Sequence, residues 1–153
     1  MNIPSASSVS TAKGVSIESV ANILERESRT VIEDWLASVG LESDLTAIPL
    51  TSDERTSHLP QLLRDLVARL RSKARSKASL SKAAGIHGDL RRAQGYTAGM
   101  TVQESRLLQV AIFSMLHKHV RCLDVNALLP DVAIIADEVD AQLKQQVLCF
   151  MAV

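Results

Sequence analysis

Apolar residues recur at helical spacing along most of this chain, and this pattern limits the fold more than any other feature. One segment shows it clearly, with six apolar residues on a single helical face: Leu59, Leu62, Leu63, Leu66, Val67 and Leu70. Strong helix formers (Ala, Leu, Arg, Lys, Glu and Gln) dominate the sequence, whereas β-branched residues rarely alternate with polar ones. The sequence therefore predicts an all-α fold.

Length and composition predict one soluble domain. The chain has 153 residues, of which 46% are hydrophobic and only 3% aromatic, so aliphatic side chains must fill the core. The formal net charge is zero, which gives no general attraction to nucleic acid or to an anionic membrane. Residues 1–15 are rich in Ser and lack the apolar centre of a signal peptide. We expect a cytoplasmic helical domain over residues 16–153, preceded by a disordered arm, with no membrane insertion.

Capping signals place the first helices. Ser16 is predicted to cap a first helix that ends at Gly40 in the left-handed conformation. Thr51 and Glu54 have the spacing of a capping box. Pro60 disfavours a continuous helix, so we expect a short helical turn, a break, and a restart near Pro60.

The second half of the chain predicts three more helices. The third runs from about residue 80 to residue 94, and a fourth follows a capping box formed by Thr101 and Glu104. Pro130 suits the first turn of a fifth helix. Short connections make neighbouring helices antiparallel, so the predicted architecture is a bundle of about five helices. Near the end of the chain the apolar residues leave one face, which indicates either a dimer-forming last helix, a boundary before another domain, or burial within the monomer.

Polar side chains interrupt the apolar face of the third predicted helix. His87, Arg91 and Gln94 share one stripe with small apolar residues. Glu104 lies in the apolar stripe of the fourth helix, so its carboxylate is expected to point inward and to pair with Arg91. His87 or Gln94 would complete that network. The alternative is that Glu104 only caps its own helix.

Two glycines near His87 allow two interpretations of its surroundings. Gly85 and Gly88 weaken a helix by roughly 1 kcal/mol each relative to Ala, so they indicate close packing by another backbone or by a flat ligand. Close helix packing is the first interpretation. A haem beside His87 is the alternative, although we expect no cofactor.

Sequence motifs of catalysis and metal binding are missing. The chain lacks a phosphate-binding glycine loop, a nucleophile elbow and the ligand spacing of a zinc site, so neither an enzyme nor a metal centre is expected. The adjacent carboxylates of Asp137 and Glu138 are predicted to be solvated. The basic run over residues 69–82 has no interleaved aromatic residue and is likewise predicted to be a solvated face rather than a nucleic-acid site.

One motif resembles a known family. The segment reads His87-Gly88-x-x-Arg91-x-x-Gln94-Gly95-Tyr96, and Glu104-x-Arg106-x-Leu108 follows it. It resembles the N-terminal sensor domain of RsbRD-type stressosome co-antagonists, which also precedes bacterial histidine kinases and some transcriptional regulators. The resemblance spans about residues 17–145 and includes an early helix with Trp35. Ser105 stands where family members commonly have an aromatic residue.

The resemblance implies a signal-input domain. Such a module is helical, non-catalytic and usually dimeric, and relatives in stressosome proteins resemble globins that lack haem. It implies signal transduction to an output domain, such as the kinase of a two-component system, through the C-terminal helix. The candidate residues for a ligand site or a structural polar network are these: Trp35, His87, Arg91, Gln94, Tyr96 and Glu104. The alternative function is a constitutive dimerisation scaffold without a ligand.

Overall fold

The computed structural model describes residues 14–72 and 82–152, and within these ranges the regular structure is α-helical apart from one short 3-10 helix. The helices are α1 (Val20–Arg26), α2 (Ser28–Val39), α3 (Ser43–Thr46), α4 (Ser52–Thr56), α5 (Leu59–Ser72), α6 (Lys82–Ala93), α7 (Ala98–Lys118) and α8 (Val125–Met151). The predicted disordered arm falls mostly outside the described residues, as does most of the basic run over 69–82. The all-α prediction is confirmed.

Five of these helices are long enough to form the body of a bundle. They have 12 residues in α2, 14 in α5, 12 in α6, 21 in α7 and 27 in α8, in agreement with the predicted bundle of about five helices. The remaining helices are single turns or short connecting pieces. Within the described ranges, every helix is too short or too polar to span a bilayer.

The first predicted helix differs from the structure at both of its ends. The N-cap is Ser19, whose hydroxyl accepts a hydrogen bond from the backbone N–H of Asn22 at 3.1 Å, and not Ser16. The helix is divided at Glu27 into α1 and α2. Gly40 follows α2 with a φ of −61°, so the predicted left-handed conformation is wrong there. The chain continues into α3 after a short turn and does not need the left-handed reversal.

Thr51 and Glu54 form the predicted capping box at the start of α4. The Thr51 hydroxyl accepts from the Glu54 N–H at 3.2 Å, and a Glu54 carboxylate oxygen accepts from the Thr51 N–H at 2.7 Å. The break before Pro60 is also confirmed, because α4 ends at Thr56 and α5 restarts at Leu59.

Replacing Thr51 with Ala is expected to lower the free energy of unfolding by about 1 kcal/mol, because one N–H at the start of α4 loses its acceptor. Chemical denaturation measures the change. The matched control is Ser52→Ala, one residue further on, where the side chain is exposed and is not the cap. Equal losses in the two variants would contradict the capping assignment.

The starts of α7 and α8 lie earlier than the sequence indicated. Thr97, not Thr101, caps α7, and its hydroxyl accepts from the Met100 N–H at 3.2 Å. Asp124 caps α8 by accepting from the Asn126 N–H at 3.0 Å, so Pro130 lies inside the helix instead of in its first turn. Pro130 and Asn126 are both exposed, which lets water satisfy the carbonyl that the proline leaves without a donor.

Helix packing brings α6 and α8 together. The main partner of α6 is α8, and the main partner of α7 is α2, while α1 packs on α5. The helices α6 and α7 contact each other only through a few side chains. They do not pack along their whole length, whereas the two helices of an antiparallel hairpin would. The buried core surrounds Trp35 and Ile112, both 0% exposed.

The buried face of α8 is partly polar. Glu138, Gln142 and Gln146 are buried one turn apart, whereas Leu148 and Met151 are exposed. Glu138 was predicted to be solvated, but its carboxylate accepts from Arg69 at 3.1 Å. Arg69 is the first residue of the basic run over 69–82. It forms ion pairs with Asp137 and Glu138 and is therefore not a free surface charge.

Candidate functional site

Arg91 is the centre of a buried polar network. Its side chain is 0% exposed, and each guanidinium nitrogen donates a hydrogen bond. The Nε atom donates to Glu104 Oε2 at 3.1 Å, Nη1 to Gln94 Oε1 at 2.8 Å, and Nη2 to the carbonyl oxygen of Arg55 at 2.9 Å. The guanidinium also lies 4.7 Å from the centre of the Tyr96 ring, within the range of a cation–π contact.

Glu104 joins three helices at this network. Its second carboxylate oxygen, Oε1, accepts from the Tyr96 hydroxyl at 2.7 Å, so both oxygens are hydrogen-bonded. Its backbone carbonyl accepts from the indole N–H of Trp35 on α2 at 3.0 Å. The predicted pairing of Arg91 with Glu104 is confirmed. The alternative, in which Glu104 only caps its own helix, is wrong because Thr97 is the cap.

Arg55 supplies a second buried guanidinium that the sequence analysis missed. It is 7% exposed, and it donates to the Tyr96 hydroxyl at 3.1 Å and to the carbonyl of Leu45 at 3.1 Å. Its own carbonyl is the acceptor for Arg91. The network therefore carries two arginines against one carboxylate, so it has no net negative charge with which to attract a cation.

His58 and His87 form a stacked pair beside the network. Their ring centres are 3.4 Å apart and their planes differ by 10°. The rings of Trp35 and His58 are nearly perpendicular, with their centres 6.0 Å apart. The His87 Nε2 atom lies 3.7 Å from Glu104 Oε2. The Nδ1 atoms of both histidines are buried and have no hydrogen-bond partner among the described residues. An unsatisfied buried polar atom is costly, so two such atoms in one pocket require an explanation.

The stacked geometry does not suit a shared metal ion, although His58, His87 and Glu104 bring ligand atoms within 4.8 Å of one another. A histidine binds a metal in the plane of its ring. An ion between two parallel rings stacked 3.4 Å apart lies out of both planes, and Arg91 repels it. Both Glu104 oxygens are already engaged.

A small internal cavity adjoins the stacked pair. Its volume is about 10 Å³, the space of roughly one water molecule, so a planar macrocycle beside His87 would require the helices to separate. The cavity is lined from five helices and by the residue before α5: Trp35, His58, Leu59, Leu62, His87, Glu104, Ser105, Leu108, Gln142 and Gln146. The C-terminal helix α8 therefore contributes directly to the wall of the site through two glutamines.

Burial sets the protonation of the site. It lowers the pKa of His58 well below the usual value, and His87 and Arg91 act in the same direction. Burial also lowers the pKa of His87, with Glu104 opposing and Arg91 reinforcing the shift. Burial and the Glu104 carboxylate raise the pKa of Tyr96 to about 12. At neutral pH the site consequently holds two neutral imidazoles and a neutral phenol.

Two local structures position these side chains. After α6, Gly95 takes a φ of 89°, and the N–H groups of Gly95 and Tyr96 donate to the carbonyls of Arg92 and Arg91 at 3.1 and 3.0 Å. This Schellman arrangement folds Tyr96 back over Arg91. On the other side of α6, Gly88 lets the backbone of Gln146 approach, which confirms the predicted close helix packing.

All six residues predicted from the sequence lie at or beside this network, and two further residues do as well. The stripe of His87, Arg91 and Gln94 correctly located the polar centre. His58 is separated from it by a long stretch of chain, and its only signal was its position four residues before Leu62 on an apolar face. Arg55 gave no pattern because α4 is too short to show one.

A second cavity of about 670 Å³ lies between α1, α5 and the start of α8. Aliphatic side chains such as Leu70 and Ile134 form much of its wall. Two charged groups at its border are already in ion pairs, Glu18 with Arg26 and Arg71 with Glu25. This cavity offers space but few free polar groups to orient a ligand.

The protein is thus an all-α bundle with a buried polar network of arginine, glutamate and tyrosine side chains beside two stacked histidines. No family model matches the chain, and the comparisons with curated proteins and with solved structures likewise find no match.

Proposed function

We propose that this chain is a non-catalytic, cytoplasmic signal-input domain that passes its state to an output module through α8. The observation that carries the proposal is the contact between the polar site and α8: Gln142 and Gln146 form part of the wall around the stacked histidines. A change in pairing at the site thereby alters the packing surface of the longest helix, which has 27 residues.

The chemistry of the site supports this proposal over catalysis. The side chains of His87, Tyr96 and Glu104 are buried, and the adjoining cavity has about the volume of one water molecule, which leaves a substrate no room. The unsatisfied nitrogen atoms instead indicate an arrangement that a modest input can rearrange. A signal requires an input with different affinities for two such arrangements.

The sequence motif supports the same proposal. The segment that resembles the RsbRD-type sensor motif supplies four side chains of the network, those of Arg91, Gln94, Tyr96 and Glu104. We accordingly propose a homodimer that regulates a histidine kinase or a stressosome-type partner. A constitutive dimerisation scaffold is the competing function, and it differs in one respect: the polar site would then have no influence on an output.

Glu104→Gln tests the proposed function in a chimera. The chain is fused ahead of the catalytic region of a soluble histidine kinase, with linkers that differ by one residue over two helical turns, and autophosphorylation is measured. We expect the amide to change the autophosphorylation rate several-fold in at least one register, because Arg91 loses its buried counter-ion and α8 repacks. Glu33→Gln, an exposed carboxylate on α2, is the matched control. Equal rates in every register, with both proteins folded, support the scaffold instead.

A further inference from the structure

The stacked histidines differ in their freedom to move. His87 lies in the middle of α6, so its ring is held by the helix, and His58 belongs to the two-residue connection between α4 and α5. The His58 carbonyl accepts from the Leu62 N–H at 3.3 Å, which anchors its backbone at the start of α5. The residue as a whole is partly buried, and its buried Nδ1 atom has no hydrogen-bond partner among the described residues. Rotation about its side-chain bonds is therefore the simplest motion that would take the His58 ring out of the stack.

We propose that His58 and His87 form a proton-responsive switch, in which acidification moves the His58 ring out of the stack and releases the cavity-lining face of α8. This inference rests on the proposed signal-input function and names its signal as the proton. The His58 ring covers one face of His87, and both rings border the cavity that Gln142 and Gln146 also line. Departure of the ring would enlarge that cavity and admit water to the wall formed by α8.

The groups around the stack determine the direction of the switch. Those with a charge or a titratable proton that face it from the packed elements are Arg55 of α4, Arg91 of α6, Tyr96 of the following connection and Glu104 of α7. On α8 the facing side chains are the neutral Gln142 and Gln146, and Glu138 lies one turn further, within 3.4 Å of Gln142. The carboxylate of Glu104 already accepts hydrogen bonds from Arg91 and Tyr96. A protonated histidine in the stack would therefore have no free counter-ion.

Linkage then gives the pH range. Inside the stack, burial and the neighbouring cations hold the pKa of His58 well below its usual value, whereas a solvated histidine has a pKa of about 6.5. The outward state therefore binds protons more tightly, and its population relative to the stacked state rises about tenfold per pH unit below about 6.5. The stacked state is fully favoured above that pH and is lost as the pH falls toward its own lower pKa. Protonation of His87 against Glu104 adds to the effect, because it places a charge beneath His58.

A pH titration of the full chain tests the switch with two independent probes. Histidine ring NMR follows the protonation of His58, and fluorescence follows Trp35, the single tryptophan, which is 0% exposed and faces the His58 ring. Between about pH 8 and about pH 5, we expect one reversible step in which His58 gains a proton and the Trp35 emission shifts to the red. The helical circular dichroism signal should stay unchanged, which separates the switch from acid unfolding.

Variants of His58, with a variant of His117 as the control, complete the test. His58→Phe keeps a flat ring that can stack but cannot be protonated, so the step in Trp35 emission should disappear. His58→Gln provides a second non-titrating side chain if the phenylalanine variant does not fold. His117→Gln, at an exposed position on α7, should leave the step unchanged. A step that persists without His58, a constant emission while His58 protonates, or loss of helix at the same midpoint each overturns the proposal.

The chimera separates this inference from the proposed function. If Glu104→Gln alters autophosphorylation but acidification and His58→Phe do not, the input function stands and the proton is not its signal. If the step in Trp35 emission occurs but neither Glu104→Gln nor acidification alters autophosphorylation, the switch exists and the input function is wrong.

Discussion

Arg91→Met is expected to lower the free energy of unfolding by about 3–5 kcal/mol, because it leaves Glu104 as a buried charge with only the Tyr96 hydroxyl as a partner. The methionine fills most of the arginine's volume, so the loss reports charge and hydrogen bonding more than a cavity. The melting temperature should fall by roughly 6 to 20 °C for a domain of this size. Calorimetry or chemical denaturation measures both quantities.

The control for Arg91→Met is an arginine with little burial. Arg29→Ala removes a side chain that is 92% exposed and pairs with Glu33 on the same helix, and it should cost no more than about 0.5 kcal/mol. The double variant Arg91→Met with Glu104→Met should lose less than the sum of the two single losses, because no unpaired charge remains. Additive losses would show that the two side chains do not act as a pair.

Gly88→Ala should destabilise the domain although alanine normally favours a helix. A Cβ atom at this position would lie 2.9 Å from the carbonyl carbon of Gln146 and closer still to its oxygen, so α6 and α8 must move apart. Overpacking of this kind costs about 1–3 kcal/mol, more than the roughly 1 kcal/mol that alanine gains in a helix. Denaturant unfolding gives the difference.

Gly99→Ala is the matched control for Gly88→Ala. Gly99 also lies in a helix, and an added Cβ atom there is no closer than 3.7 Å to the Thr97 hydroxyl oxygen. That substitution should be neutral or stabilising by up to about 1 kcal/mol. The same sign of change at both glycines would contradict the close approach of α8 to α6.

The helical fold and the centre of the site follow from local patterns. Apolar spacing predicts the helix faces, and the inward stripe of His87, Arg91 and Gln94 predicts a buried network because a guanidinium among apolar residues needs a carboxylate. In the structure Glu104 provides that carboxylate, because it accepts a hydrogen bond from Arg91. The capping box at Thr51 was predicted equally well, since both of its partners lie within one helical turn.

The errors arose where tertiary contacts decide. Asp124 begins α8 before Pro130, and only the exposure of that turn makes an internal proline tolerable. The inner face of α8 is partly polar because Gln142 and Gln146 border the histidine pair instead of a purely aliphatic core, and the sequence analysis did not identify either glutamine. His58 reaches His87 through the docking of α5 against α6, a contact that no spacing within the sequence encodes.

Hydrogen exchange in α8 is the measurement that tests the central claim most directly, since the claim is that the polar network controls the packing of this helix. Backbone exchange is compared between the unmodified chain, Glu104→Gln and the exposed control Glu33→Gln, under conditions in which all three are folded. We predict that Glu104→Gln accelerates exchange in the part of α8 that lines the cavity, around Gln142 and Gln146, by at least about tenfold more than in α1. Uniform acceleration in all helices, or unchanged exchange in α8, would contradict the account.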